Sequence, residues 1–517
     1  MALAYTPLDD ITKIHAELKA GFQTGKTKSL AYRKYQLLQL GYLIKDNAKR
    51  FEEALAQDLG RHAFESYFLE VNASLSEILE CYKSVDAWAK PDKPAFNVNF
   101  VFMKPTTYKV PKGVVLVISP FNYPMWLIAT PLAGAIAAGN AVVIKPSESC
   151  PATAALWTEL LPKYLDSSLI SIVNGAIPET TRLLELPWGH VLYTGSGRVG
   201  RIVARAAANT LTPVSLELGG KSPVFIDPDC DFKFAAKRLL WGKFTNAGQT
   251  CVAPDYVFVT KGSQDAFIEA LKLTYESFYP ETTGPSPKPP QNVTKMVNAQ
   301  AFTRVNGLLQ NSKGTVVCGG QTDEVQRFIA PTIVRDVKLD DSLMSEEIFG
   351  PLLPIVPVDN LDEAIAYVNA HDHPLALYVF TQNEVFKKKV FENTLSGSAV
   401  ANETIIIPGV PGLPFGGIGA SGSGYHTGKY GFDMFTHFRA SMDTPGWIDK
   451  ILGFRFPPYT DQSVATLRSR MPIKLPARPA GPPTGATSTT QRKWFLLAFA
   501  LAIVGALTRM KNLQLKN

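Results

Sequence analysis

The chain has 517 residues, 46% of them hydrophobic and 19% charged, which is too long for a single core and too apolar for disorder. Its five cysteines (Cys81, Cys150, Cys230, Cys251 and Cys318) are odd in number and include no C-x-x-C pair, which argues against a disulfide framework or a zinc ribbon and for a reducing compartment. The formal net charge of +7 resides from Met471 onward, where seven Lys and Arg stand without one Asp or Glu; the body is balanced, with no domain-sized basic patch for nucleic acid.

The opening MALAYTPLDDITKIHAELKAGF lacks the continuous apolar core of a secretory signal and is too acidic for a mitochondrial presequence. From about Leu8 to Lys90 apolar residues recur at three- and four-residue steps, which predicts helices. After Pro91, NVNFVFMKPTTYKVPKG reads as extended chain and a hairpin arm. Short β-rich runs then alternate with helical ones: VVLVIS with WLIATPLAGAIAAG, AVVIKP with ATAALWTELLPKYL, HVLYTG with RVGRIVARAAA. That alternation predicts βαβ units on a mostly parallel sheet, and a second α/β stretch runs from about Leu218 to Ala401. MPIKLPARPAGPPTGATSTTQ has a linker's composition. Trp494–Thr508 follows, uncharged and flanked by Arg492, Lys493 and Arg509. As a helix it would be about 22 Å long, short of a hydrocarbon core of about 30 Å. Length alone favours a helix docked on the body. Trp at its edge, basic flanks that can snorkel and the linker upstream favour a tail anchor, with the body on the cytosolic side.

The segments with chemical potential sit at strand ends. Gly195-x-Gly197-x-x-Gly200 lies between a predicted strand, His190 to Thr194, and a helix, as in a dinucleotide fingerprint; it also suits a plain tight turn. The acidic residue expected about twenty positions on is Glu217, awkwardly placed in LELGGKSP for a ribose. Lys145 and Glu148 follow a buried strand, where open α/β sheets bind ligands; a solvated loop lysine is the plainer reading. Cys251 stands in the polar stretch NAGQTCVAPD, either as a small buried filler or as a reactive thiol. A reactive thiol needs a base, and burial would make Glu217 one. Asn122, between Pro120 and Pro124, is either a turn residue or an amide held for a developing oxyanion. Phe64, Tyr67, Phe68, Tyr123 and Trp126 are core residues or the lining of an apolar funnel. HDH at His371 to His373 has no further ligand nearby, so no metal site is expected.

Taken in order, PFNYP, GNAVVIKPSE, TGSGRVG, LELGGKSP, NAGQTCVAPD, EEIFGPLLPI and PFGGIGASGSGYHTGKYGF resemble the aldehyde dehydrogenase superfamily over about residues 8–440. GQTCVAPDYV, the short N-terminus and YHTGKYGF are most similar to its class 3 branch; the linker and apolar tail resemble that branch's membrane-bound fatty aldehyde enzymes. The resemblance implies an α/β fold with a Rossmann-like cofactor domain (1–90 and 113–216), an α/β catalytic domain (217–401), a small β bridging arm for oligomerisation (91–112 and 402–440), a C-terminal extension (441–493) and a transmembrane helix (494–508). It implies Cys251 as nucleophile, Glu217 as base and Asn122 as oxyanion donor. Lys145 and Glu148 would meet the adenosine ribose, and Gly195, Ser196 and Gly200 the pyrophosphate, although Gly197 and Arg198 depart from the family's usual residues. Glu347 would hold the nicotinamide ribose and Phe349 flank the ring. The expected cofactor is NAD, with NADP left open, and the expected substrates are medium- to long-chain fatty aldehydes. Aromatic aldehydes, transfer to coenzyme A and an idle membrane-tethered scaffold are the alternatives. A homodimer on the mitochondrial outer membrane, endoplasmic reticulum or lipid droplet completes the expectation.

Overall fold

The computed structural model describes residues 3–282, 290–479 and 481. Residues up to Met442 form one compact unit; a second begins at Asp443. In the first unit, helices Leu8–Gln23, Leu30–Asp46, Ala48–Leu59 and Ala73–Trp88 follow the apolar periodicity of the sequence. Ser29 starts the second by accepting a hydrogen bond from the Tyr32 amide, and Gly60, at φ +65°, ends the third in the left-handed cap that glycine adopts most readily.

Two sheets follow. The first has six strands in the spatial order Gly422–Ser423, Val214–Glu217, His190–Thr194, Val114–Ile118, Ala141–Lys145, Ile170–Ile172. Its five longer strands are parallel, and only Gly422–Ser423 runs against them. Chain order reverses between Val114–Ile118 and His190–Thr194, the switch point at which such sheets open a crevice beyond their carboxyl ends. Val114–Ile118 and Ala141–Lys145 are buried at every position because helices cover both faces, and their unbroken apolar sequence follows from that.

The second sheet has seven strands: Ser398–Ala401, Ala376–Phe380, Pro223–Ile226, Tyr256–Thr260, Leu352–Val358, Thr332–Arg335 and Thr315–Cys318. Only the last is antiparallel to its neighbour. Alternate residues divide between two cores. Val224, Ile226, Val257 and Val259 pack with Leu239 and Phe267 on one face, and Phe225, Tyr256 and Phe258 pack with Val305 and Ile348 on the other. Each fully buried side chain of this size contributes about 1.5–3 kcal/mol.

The expected hairpin arm takes another form. Thr106–Pro111 pairs antiparallel with Thr436–Ser441, from the far end of the unit, with Thr106 opposite Ser441 and Pro111 opposite Thr436. Local texture predicted an extended strand; only the resemblance, which groups 91–112 with 402–440, pointed to a partner so distant in sequence. Among the described residues no helix is long and apolar enough to cross a membrane, and Trp494–Thr508 lies outside them.

Candidate active site

A cavity of about 410 Å³ opens between the two sheets. Cys251 and Glu217 both line it, with Thr194, Thr250 and His426. Its walls are mostly apolar, including Phe68, Trp126, Leu127, Ile405, Ile406 and Val410. Of the aromatic residues considered from sequence, Phe68, Tyr123 and Trp126 line it, whereas Phe64 and Tyr67 are exposed outside it.

The sequence around Cys251 builds a rigid loop. Asn246, Ala247 and Gly248 are consecutive left-handed residues, at φ +55°, +52° and +69°. Two of them are not glycine, so the conformation is strained and must be held by its surroundings. Asn246 is the hub: its Nδ2 donates to the carbonyls of Asn122 (2.9 Å) and Gln249 (3.0 Å), and its Oδ1 accepts from Arg61. Gln249 donates to the Lys295 carbonyl and accepts from the Val297 amide, while Thr250 meets the Tyr123 hydroxyl at 2.6 Å. At Gly248 a Cβ would strike the Gly350 carbonyl, so only glycine lets the EEIFGP segment lie this close. The polar residues before Cys251 are thus the scaffold that fixes it.

Arg61, fully buried, completes the scaffold. It pairs with Glu70 and donates to the Asn122 carbonyl as well as to Asn246. Glu70 in turn accepts from the Met125 and Trp126 amides at the start of helix Trp126–Ala138. Asn122 is buried beside the cysteine loop, its carbonyl accepting from Arg61 and from Asn246. Arg61→Met is expected to destabilise the protein by roughly 3–5 kcal/mol, because Glu70 is left buried without its partner. A urea titration against the wild type measures this.

Electrostatics mark Cys251 and Glu217. Burial, then the nearby Glu347 and Glu217 carboxylates, push the Cys251 thiol up to about 12. Burial raises Glu217 well above the usual carboxylate range, and neither of its carboxyl oxygens has a hydrogen-bond partner among the described residues. Glu347, also raised by burial, to about 8, lies against Gly219, where any side chain would collide with its carboxylate. Phe349 holds φ +45° and meets Phe121 edge-on at 5.9 Å.

The remaining predicted residues gather at the carboxyl end of the first sheet. Lys145, buried at the end of its strand, bonds Glu148 at 2.8 Å. Ser196 caps helix Gly197–Ala208 directly after strand His190–Thr194, accepting from the Val199 amide, and the Gly195 amide donates to the Glu217 carbonyl at 3.0 Å. A Cβ on Gly200 would come within 2.8 Å of the Leu218 side chain, so the helix packs closely on the segment after strand Val214–Glu217. A helix N-terminus, a strand-end Lys–Glu pair and a nearby acidic residue suit a dinucleotide's phosphates and riboses.

Sequence reasoning missed Arg61, Asn246 as a hub, and His426. Arg61 sits among helical charges and carries no local sign of burial. His426 stands within YHTGKYGF, where a histidine beside a small residue and glycine was a visible but unread signal.

Comparison with known proteins agrees with this geometry. A model of the aldehyde dehydrogenase family matches residues 3–441. The chain is 44% identical to "Aldehyde dehydrogenase, dimeric NADP-preferring" of Rattus norvegicus, over 85% of this chain and 96% of that protein. It is 43% identical to "Aldehyde dehydrogenase family 3 member A2" of the same species, over 87% and 91%. The solved structure of Staphylococcus aureus AldH in a substrate-bound state superposes with a TM-score of 0.84 at 39% identity, covering 89% of this chain and 99% of that one.

Proposed function

This chain belongs to the aldehyde dehydrogenase family and is an NAD(P)-dependent aldehyde dehydrogenase; we propose that it oxidises medium- to long-chain fatty aldehydes to free acids. The observation that carries this reading is the largely apolar cavity, with Cys251 and Glu217 as its reacting groups. An aliphatic chain fits such walls better than a charged or sugar-like substrate does.

In this reading the Cys251 thiolate adds to the aldehyde carbon, and the new oxyanion takes hydrogen bonds from the Asn122 amide and the Cys251 backbone amide. When bound, the nicotinamide supplies the acceptor for the hydride that leaves as the thioester forms. Glu217 then removes a proton from water, the hydroxide adds to the thioester carbon, and the Cys251 sulfur departs with the electron pair. Glu217 in the cavity supports hydrolysis over transfer to coenzyme A, and Cys251 beside it supports an enzyme over an idle scaffold.

Lys145 and Glu148 would hold the adenosine ribose, Gly195, Ser196 and Gly200 the pyrophosphate, and Glu347 and Phe349 the nicotinamide end. The Glu148 carboxylate would repel a 2′-phosphate, which favours NAD. Glu148→Gln is expected to shrink the NAD-over-NADP preference about tenfold, since a difference near 1.4 kcal/mol is a factor of ten. The ratio of kcat/KM for the two cofactors measures it. A homodimer is the proposed assembly, since a relative's name calls it dimeric. Residues 494–508 are proposed as a tail anchor in an endoplasmic reticulum or mitochondrial outer membrane, which carbonate extraction with and without them would test.

The substrate reading is tested by NADH formation from saturated aldehydes of increasing chain length, with benzaldehyde alongside. The expected result is a KM that falls as the chain lengthens. A KM indifferent to chain length, or lowest for benzaldehyde, would overturn it.

A further inference from the structure

His426 faces the base. Its Nε2 lies 3.9 Å from Glu217 Oε2, and both residues line the cavity that holds Cys251. The side chain is 2% exposed, and neither ring nitrogen has a hydrogen-bond partner among the described residues. Burying an imidazole with both nitrogens unsatisfied is costly. Burial also lowers its pKa to about 4, so the ring is neutral at physiological pH.

The position is held from three sides. The His426 amide donates to the Phe415 carbonyl at 2.8 Å, and the ring stands edge-on to Phe415 at 5.4 Å. Thr427 is forced to φ +85°, unfavourable for a β-branched residue. The next amide, Gly428, donates to Glu77 Oε1 at 2.6 Å, which anchors the turn to helix Ala73–Trp88. Strain held in place by several contacts, beside two unsatisfied polar groups, is the pattern of a functional site.

A gap of 3.9 Å is too long for a direct hydrogen bond. Two bonds of about 2.8 Å from one water span about 4.4 Å, so a bridging water would have its bonds bent inward slightly or draw the two side chains apart by about 0.5 Å. We propose that His426 is a further catalytic residue of this enzyme: with Glu217 it holds the water that hydrolyses the Cys251 thioester. In the Nδ1–H tautomer, Nε2 accepts one water proton in a hydrogen bond and Glu217 accepts the other, leaving the oxygen lone pairs free. Glu217 takes its proton outright as the C–O bond forms. The tetrahedral adduct then expels the Cys251 sulfur, which recovers that proton while the acid leaves. His426 orients the water throughout and changes no net charge. The inference rests on the dehydrogenase reading and concerns only its second half.

The test separates the two halves by following the first turnover. His426→Phe keeps a ring against Phe415 and removes the acceptor. With NAD⁺ and a long-chain aldehyde, the variant is expected to release one equivalent of NADH per site at a rate within about threefold of wild type. Steady turnover should then fall about 10²-fold, the lower range for loss of a proton-handling group. Added hydroxylamine, which cleaves thioesters without an enzymic base, should restore part of that turnover. His426→Gln, with an acceptor of similar reach, should lie between the two. A first turnover slowed in parallel with the steady state would show that His426 only shapes the cavity, and unchanged steady turnover would remove it from catalysis; either result overturns the proposal. Wild type that forms no NADH from any aldehyde would overturn the dehydrogenase reading and this inference with it, whereas active wild type beside a variant without a burst overturns this inference alone.

Discussion

Cys251→Ala is expected to abolish aldehyde oxidation, with kcat lower by at least about 10⁴-fold, because losing a nucleophile forfeits the covalent route entirely. The fold should survive. Cys251 is only partly buried, and the loop that carries it is held by Asn246, Gln249 and Thr250, which the substitution leaves untouched. The melting temperature should therefore move by no more than the few degrees that about 1 kcal/mol produces in a large domain. NADH formation and a thermal melt on one preparation check both expectations. A stable variant that still oxidises aldehydes would remove Cys251 from the mechanism. Among the described residues no other cysteine lines the cavity to replace it.

Glu217→Gln is expected to cost about 10²–10⁴-fold in steady turnover, the range for removing a general base, and to make the protein more stable above neutral pH. The two effects share one cause. Glu217 is buried with both carboxyl oxygens unpartnered, and its pKa is raised well above 4.5. The folded state therefore keeps a proton that the unfolded state has released, and wild-type stability falls as pH rises from the unfolded pKa toward the folded one. Glutamine has no such proton, so the variant's advantage is absent near pH 4, grows above it, and reaches its full size at alkaline pH. Melts at a series of pH values would show this. Activity should move in the opposite direction. Wild-type steady turnover should rise with pH, because both the raised Glu217 and the Cys251 thiol, near 12, must lose protons to act. The variant should lose the Glu217 part of that rise. A variant both less stable and fully active would show that Glu217 is a structural residue.

Much of the fold was legible because local chemistry dictates it. Unbroken apolar runs such as VVLVI and AVVIK, separated by helical patterns, require strands covered on both faces. TGSGRV requires a strand, a capped turn and a helix start, and Ser196 provides the cap. The position of the residues expected to meet the cofactor was legible for the same reason, since Lys145, Glu148 and Gly195 through Gly200 all lie where parallel strands end.

The sequence by itself determined where the backbone turns, which strands are buried, and that a cysteine sits in a loop rich in glycine and amide side chains. These follow from constraints among residues a few positions apart. Tertiary structure alone decided which of those segments meet. It set Glu217 opposite His426 and placed Arg61 between Glu70, Asn122 and Asn246. No periodicity encodes such pairings, because each depends on how two sheets and their covering helices pack as whole bodies. The same packing sets Glu217 and Cys251 below the surface, and that desolvation, which no short stretch of sequence can express, is the largest cause of their raised pKa values.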